Sequence, residues 1–438
     1  MKLDKYFQVA KQLGFQDVEF KSRTSKRLSI TVFHHKVENY TVSENETIFI
    51  RGIVNGKMVS GTTENQKSIE RILKEMVEHA RLIEDEKEQE IFAGSEKYKN
   101  HKTYKDALSK VNVSQKIQMC LDAEEKALAY DAKVSDSEVS YNETETAMSI
   151  QNSKGLKLSY RVSYGTLVVE CVAKHEGDTR TGFKYQIGQE LEEFDVDKVV
   201  KEACDDAINA LHGSQCASGK YNVLFTPSVF ASLVGILVAN ASGEAVNKKR
   251  TLLKDKLNQQ IASKKLTIVE DPHMKQYPYF YRAFDDEGVA TYKKAIVEKG
   301  VLQTFLYNIE AAKEANVSST GNGYGGSNIG ISTSFLCVKP GKKSKEELCK
   351  QINNGIQITS VAGLHSGMNQ LSGDFSLQAS GYRIENGEIT TPVNLITIAG
   401  NLFELFKNIT EVGNDVFLTY GGVLTPSVVV KNLAISGK

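Results

Sequence analysis

Two long stretches of alternating apolar and polar residues place the strongest constraint on how this chain can fold. They cover residues 17–61 (DVEFKSRTSKRLSITVF and onward) and 138–183 (EVSYNETETAMSIQNSK and onward). Alternation with a period of two is typical of antiparallel strands that bury one face. Helical spacing precedes and follows each stretch, over 4–14, 65–83, 114–130 and 195–211. The sequence therefore predicts two units of helix, antiparallel meander and helix, whose sheets are side by side or continuous.

A change in composition divides the chain near its middle. Most of the 33 glycines follow this point, as do all six prolines (Pro227, Pro272, Pro278, Pro340, Pro392 and Pro426). Because 438 residues exceed one ordinary hydrophobic core, we expect separate domains and cut within HGSQCASGK. The prediction is an α+β fold with an N-terminal α+β domain over 1–212 and a C-terminal β-rich domain over 213–438.

The C-terminal domain is expected to start with a strand at 221–225 and one central helix from Pro227, since proline suits the first helical turn. Further helices are predicted at 344–354 and 400–407. Glycine positions predict tight hairpin turns at DDEG (285–288), VEKG (297–300) and ENGE (385–388). Residues 84–105, with the acidic cluster EDEKEQE, are expected to form a solvated linker.

Composition excludes several classes of function. The formal net charge is zero and no basic stripe is present, so we expect no direct contact with nucleic acid. The longest apolar runs, such as LVGILVA, are far shorter than the ~20 residues of a membrane-spanning helix. The N-terminus has no apolar export segment, so a cytoplasmic location is expected. Six cysteines without a C-x-x-C spacing indicate free thiols.

Three short motifs suggest chemistry that the surrounding sequence does not support. GNGYGG (321–326) fits G-x-G-x-x-G, but no helical pattern follows it, so we interpret it as a glycine-rich loop. His34 and His35 are adjacent in an alternating stretch, so they are expected on opposite faces of a strand. His365, Asp374 and Ser366 or Ser376 are the residue types of a nucleophilic triad, although no G-x-S-x-G elbow presents either serine.

The apolar segment LVGILVANASGEAVNKK (233–249) raises the question of a metal site. A metal-dependent hydrolase helix carries two histidines on one face and a carboxylate as general base. No histidine occurs between His212 and His273. The segment is therefore expected to pack as a core helix, with Glu244 paired to Lys248 one turn away.

Several longer motifs of the second half resemble the TldD/PmbA family, which is also called the modulator of DNA gyrase family or peptidase family U62. They are SGEAVNKKRTLLKDKL (242–257), LTIVEDPH (266–273), FDDEGVAT (284–291), IVEKGVLQTFL (296–306), SSTGNG (318–323) and, most similar to the PmbA or TldE branch, GMNQLSGDFSLQASGYRIENGEITTPVNLITIAGNLFELF (367–406).

The resemblance implies what the central helix has lost. In the TldD branch this helix carries the metal motif H-E-x-x-x-H. Matching Asn247 and Lys248 to the residues after that motif places its positions at Gly235, Ile236 and Asn240. The chain is thus expected to hold no metal and no other cofactor, as in the PmbA branch.

The resemblance also implies a partner. We expect a TldD-like metallopeptidase subunit, or a second copy in a homodimer, and a peptide or unfolded protein as substrate. Strand edges and two loops, 318–328 and 363–381, are candidates for peptide contact, in particular Asn322, Asn328, His365, Asp374 and Ser376. Two alternatives stay open: an autonomous hydrolase with a non-metal nucleophile, and a pure interaction or regulatory protein.

Overall fold

The first half of the chain folds into one continuous antiparallel sheet with helices against it. The computed structural model describes residues 3–84 and 90–438. The helices of this half are α1 (Asp4–Gln12), α2 (Ile69–Ala80), α3 (Ala107–Lys110), α4 (Val113–Leu128) and α5 (Val196–Asn209). The strands are β1 (Phe15–Phe33), β2 (Lys36–Val54), β3 (Lys57–Thr63), β4 (Val134–Asn152), β5 (Lys157–His175) and β6 (Asp178–Gly188).

Strand order confirms the predicted duplication. The order β3-β2-β1-β4-β5-β6 places two three-stranded meanders next to each other. β1 and β4 pair antiparallel along most of their length, from Glu19–Asn152 to Phe33–Glu138, so the two sheets are continuous. Each predicted helix is present to within a few residues, because amphipathic helices are needed to cover one face of each meander.

Two hydrophobic cores lie between this sheet and its helices. In the first unit Phe20 and Ile50 pack with Leu73 of α2. In the second unit Val169 packs with Cys120 of α4 and Ala203 of α5. A Cβ at Gly182 in β6 would lie 2.0 Å from the carbonyl oxygen of Ala203, so α5 approaches the sheet closely only because this residue is glycine.

The second half is built on two six-stranded sheets and a central helix. Its helices are α6 (Pro227–Asn240), α7 (Gly243–Asn247), α8 (Ile309–Glu314), α9 (Lys345–Ile352) and α10 (Leu402–Lys407). Its strands are β7 (Gly219–Phe225), β8 (Ile268–Glu270), β9 (Lys294–Glu298), β10 (Val301–Leu302), β11 (Gly323–Gly325), β12 (Ile329–Ile331), β13 (Leu336–Val338), β14 (Gly355–Ala362), β15 (Asp374–Glu385), β16 (Glu388–Asn401), β17 (Ile409–Val412), β18 (Phe417–Leu418), β19 (Val423–Thr425) and β20 (Val428–Ser436).

The two large sheets enclose α6. Their orders are β16-β15-β14-β7-β20-β17 and β10-β9-β8-β13-β19-β18, and β11 pairs only with β12. The largest hydrophobic core joins α6 residues such as Phe230 and Leu237 with residues of both sheets, for example Ile358 and Val338. With 24% helix and 42% strand, the α+β prediction is confirmed.

Local predictions for the second half are largely confirmed. The strand at 221–225 is the end of β7, and the helices at 344–354 and 400–407 are α9 and α10. β9 and β10 form a hairpin at 297–300, and β15 and β16 form one at 385–388. The short helices α7 and α8 were missed; a helix of five or six residues shows little periodicity, although α10, which is equally short, was predicted.

Two sequence interpretations were wrong. The segment 90–105 is not a solvated linker: Ile91 is fully buried and the hydroxyl of Tyr98 donates to the carbonyl of Gly288 at 2.8 Å. Residues 85–89 of the acidic cluster lie outside the described residues. His34 and His35 are not within a strand; they form the β1–β2 turn with φ of 51° and 56°, and both side chains are exposed.

The halves pack against each other through a small apolar cluster. Ile150 and Leu156 of the first half contact Tyr281 and Phe284 of the second. The division at residues 212 and 213 stays a prediction. Among the described residues, no helix is both long and apolar enough to cross a membrane.

Candidate functional site

A groove of about 460 Å³ opens beside the C-terminal half of α6. Gly235, Val238 and Ala239 of α6 form its floor. The remaining lining residues belong to α7 and its flanks or lie in or next to short strands such as β12, β13 and β19: Ser242, Glu244, Ala245, Lys248, Arg250, Leu306, Ile331, Ser332, Thr333, Leu336 and Val423. The groove lies on the helix where the resemblance placed the lost metal motif, so it is the candidate functional site.

The sequence of α6 explains why only a narrow strip of the helix faces outward. Apolar residues occupy most positions, and nearly all of them are buried. Ser232 and Ala239 are exposed, and Gly235 and Ile236 are partly exposed. Positions three and four residues apart share one helix face, so these residues form a single open strip in an otherwise buried helix.

Close packing fixes the wall of the groove after α6. The chain turns at Gly243, whose N–H donates to the carbonyl of Leu306 at 2.7 Å, and the N–H of Leu306 donates to Ala241 at 2.9 Å. A Cβ at Gly243 would lie 2.1 Å from the ring of Tyr307. This junction therefore requires glycine.

The three positions assigned to the lost metal motif have different surroundings. A Cβ added at Gly235 would have no atom within 4 Å, so this position faces open space. Ile236 packs against the main core. Asn240 is 6% exposed, and its amide donates to the carbonyl of Ile236 at 3.1 Å. Only Gly235 is among the residues that line the groove.

The donor set of the groove does not fit a catalytic zinc ion. Its lining contains no histidine or cysteine, and its single carboxylate, Glu244, is paired with Lys248, as the sequence predicted. Arg250 adds a second positive charge. Zinc in hydrolases requires three protein ligands from histidine, carboxylate or thiolate, and two cations next to the site would oppose its charge. We derive no metal-dependent step from this groove.

Buried charges from both halves hold the hairpin that leads into the groove wall. The N–H groups of Gly323 and Gly325 donate to Asp285 and Asp286 at 2.8 and 2.9 Å. From β1, the amino group of Lys21 donates to the carbonyl of Gly325 at 2.6 Å. Burial lowers the pKa of Lys21 to about 8, against the attraction of Asp286. The position of β11 and β12 thus depends on the first sheet.

A second set of buried charges extends the same contact. Arg51 of β2 donates to Glu19 at 2.8 Å and to Glu287 at 3.2 Å. Glu287 also accepts the N–H of Ile309 at 2.8 Å. Burial raises the pKa of Asp285, and the negative charge of Glu287 raises it further. Sequence reasoning missed the role of these charges, since it used DDEG only as a turn signal and as part of a family motif; the run of three adjacent acids was the available signal.

Asn322 lies in a buried polar cluster and not at a surface. It is 0% exposed. Its amide donates to Glu270 and to the carbonyl of Ser332, both at 2.8 Å, and its oxygen accepts from Lys294 at 3.2 Å. Asn322 therefore ties the glycine-rich loop to β8 and to the groove wall. As expected, GNGYGG is not followed directly by a helix in the described chain: β11 lies within the motif and β12 follows it.

The other candidate peptide-contact residues are exposed but dispersed. Asn328 lies next to the β11–β12 turn, and His365, Asp374 and Ser376 lie in or near the loop before β15. Asp374 is bonded to Ser372 and to Asn401. Within the described chain, no hydrogen bond joins His365 to Asp374 or to a neighbouring serine, and none of the five predicted contact residues lines the groove. The structure does not assemble the triad.

Comparisons with known proteins agree along the whole chain. The family models named PmbA/TldA metallopeptidase domain 1, central domain and C-terminal domain match residues 18–80, 106–211 and 218–437. The metalloprotease PmbA of Escherichia coli O157:H7 is 31% identical over 75% of this chain and 71% of its own length.

Solved structures share the complete fold. One from Thermotoga maritima, provisionally assigned as a modulator of a DNA gyrase, has a TM-score of 0.91 at 31% identity and covers 99% of both chains. TldE from Thermococcus kodakarensis has a TM-score of 0.90 at 22% identity, covering 99% of this chain and 100% of its own; at this identity the likeness concerns the fold alone. The motifs, the fold and these matches lead to one conclusion: this chain belongs to the PmbA/TldD metallopeptidase family.

Proposed function

We propose that this chain is the non-metal, substrate-binding subunit of a two-component peptidase that acts on small unfolded proteins or peptides. The hydrolytic metal would belong to a TldD-like partner subunit. The chain is proposed to shape the chamber in which the peptide is held, and not to cleave it alone.

The observation that carries this proposal is the chemistry of the groove. It lies on α6, where a metallopeptidase of this family would present its ligands, yet Gly235 is open and Glu244 is neutralised by Lys248. A buried or half-buried ligand set without its metal would be costly, because unpaired charges lose their hydration. An apolar floor without such groups is stable by itself and suits binding better than catalysis.

The walls of the groove suit an extended peptide. Strand β12 pairs with β11 and has no strand on its other side among the described residues, and Ile331 lines the groove. An extended peptide adds to such an edge by main-chain hydrogen bonds, which require little side-chain specificity. The apolar floor would accept small apolar side chains, and Arg250 would attract an acidic residue or a terminal carboxylate.

The autonomous hydrolase is the weaker alternative. It depends on Ser366 or Ser376 acting with His365 and Asp374, and the hydrogen bonds of Asp374 go instead to Ser372 and Asn401. A nucleophile needs a base within hydrogen-bond reach that is oriented by a third group. In the described part of the chain, the two serines, His365 and Asp374 are not joined by such a series of hydrogen bonds.

The test is a substitution that fills the groove without straining α6. In Gly235→Phe the new ring enters open space, and replacing a mid-helix glycine favours the helix. The variant and the wild type are each purified with a TldD-like partner, and peptide affinity and cleavage are measured. We expect peptide affinity to fall by at least about tenfold, equivalent to about 1.4 kcal/mol, with cleavage reduced in parallel.

Gly219→Phe is the matched control. Gly219 is exposed at the start of β7, and the nearest atom to an added Cβ is 3.6 Å away, so binding and cleavage should stay at the wild-type level. The proposal is wrong if the purified chain cleaves peptide without its partner, or if Gly235→Phe binds peptide as tightly as Gly219→Phe.

A further inference from the structure

One cluster of metal-ligating side chains lies outside the groove. Within the described part of the chain, a single trio of histidine, cysteine or acidic residues brings three ligand atoms within 4.8 Å of one another: His175, Glu176 and His212. His175 is the last residue of β5, Glu176 begins the β5–β6 turn, and His212 follows α5. The two histidines are 37 residues apart in sequence.

The two imidazoles face each other through their nitrogens. Nδ1 of His175 lies 2.8 Å from Nε2 of His212, and Oε2 of Glu176 lies 4.0 Å from the same Nδ1. Two nitrogens bound to one tetrahedral zinc ion, at about 2.0–2.1 Å each, are about 3.3 Å apart. In the metal-free chain these two nitrogens share one hydrogen bond. To hold an ion, the rings would lose the shared proton, turn both lone pairs toward the ion and separate by about half an ångström.

Local structure holds the ligands in this arrangement. The backbone of His212 has a φ of 59°, in the left-handed region that few non-glycine residues adopt and that histidine adopts more often than most. Its N–H donates to Oδ2 of Asp178 at 2.7 Å, and Asp178 is also paired with Arg180. These contacts fix the backbone from which the His212 side chain extends. The side chains of His175 and Glu176 are 42% and 77% exposed, so solvent can supply the remaining ligand.

We propose that His175, Glu176 and His212 form a surface site for a divalent transition metal such as Zn²⁺. Two imidazole nitrogens and one carboxylate oxygen are a ligand set that zinc accepts. The bound ion would connect the β5–β6 turn to the segment that follows α5 and leads into the second half of the chain. It would stabilise that junction, because a ligand that binds only the folded state stabilises it.

The experiment is a calorimetric titration of the metal-free full-length chain with Zn²⁺ in a non-coordinating buffer. We expect one ion per chain, and a thermal unfolding midpoint that rises when zinc is present. His175→Gln and His212→Gln should each weaken zinc binding by at least about tenfold. Losing a residue that only supports a metal ligand already costs about tenfold or more, and these variants lose a ligand itself. Glu176→Gln should weaken zinc binding as well.

His35→Gln is the matched control. His35 is exposed in another hairpin turn, and its Nδ1 lies 3.7 Å from Glu124. It is not one of the three residues of the proposed metal site. This variant should bind zinc like the wild type. Wild type that takes up no zinc at millimolar concentration would overturn the proposal, and so would equal zinc affinity in His212→Gln and the wild type. The proposed peptide-binding function stands or falls separately, because Gly235 is not altered.

Discussion

The buried side chain of Arg51 provides the sharpest test of how the two halves are joined. Its side chain is 7% exposed, and those of its partners Glu19 and Glu287 are 1% and 6% exposed. Nε and Nη2 donate to Oε1 of Glu19, and Nη1 donates to Oε1 of Glu287. Arg51→Met keeps much of the side-chain volume and removes all three charged hydrogen bonds.

We expect Arg51→Met to lower the free energy of unfolding by about 3–5 kcal/mol. The reason is that two carboxylates stay buried without their cation, and solvent is too remote to screen them. Burial already raises the pKa of Glu287 above its unfolded value although Arg51 opposes this, so removing Arg51 raises that pKa further. The penalty is therefore present at high pH and decreases as pH falls through the raised pKa of Glu287, since protonation removes its buried charge.

The assay is urea unfolding at pH 8 and pH 5, followed by far-ultraviolet circular dichroism because the chain contains no tryptophan. Arg71→Met is the matched control: the Arg71–Glu75 pair is 65% and 46% exposed, and such exposed pairs contribute about 0.3–0.5 kcal/mol. A loss in Arg51→Met no larger than in Arg71→Met would refute the reasoning. A loss that is larger at pH 5 than at pH 8 would refute the electrostatic part.

Two further predictions concern the same region and the groove. Gly243→Ala should destabilise the fold by about 1–3 kcal/mol, because its methyl group meets the ring of Tyr307 at 2.1 Å; thermal unfolding measures this, and an unchanged midpoint would contradict the packing argument. Burial lowers the pKa of Lys21 in the folded chain to about 8, against 10.5 for an ordinary lysine. The unfolded chain therefore binds one more proton than the folded chain between these two pH values, and the free energy of unfolding should rise with pH across that window. Urea unfolding at pH 8 and pH 10 should show a larger rise in the free energy of unfolding for the wild type than for Lys21→Met. An equal change with pH in the two proteins would contradict the burial of a charged Lys21.

Much of the architecture was predictable because it depends on local pattern. A period of two over 17–61 and 138–183 specifies antiparallel strands with one buried face, and the helices between them are amphipathic. Glycine positions at 297–300 and 385–388 were sufficient to place hairpins. The absence of any histidine between His212 and His273, and so of a histidine pair on α6, could also be read from the sequence.

Prediction from the sequence failed where one residue pattern is compatible with two different structures. His34 and His35 fit an alternating strand, yet the chain turns there with both residues at positive φ. The segment 90–105 is polar enough for a linker, but Ile91 and Tyr98 anchor it to distant parts of the chain. At 34–35 the deciding feature is a two-residue hairpin turn. At 90–105 it is long-range packing, which no local window of sequence contains.

The sequence by itself determined the family, the element order and the absence of a histidine pair on α6, because these follow from residue types and short spacings. Only the tertiary structure decided which residues meet. It buried Asn322, combined α6, α7 and β12 into a groove, and placed Nδ1 of His175 at 2.8 Å from Nε2 of His212. The physical reason is that strand pairing and helix packing set distances between residues far apart in the chain, and those distances decide what a site can bind.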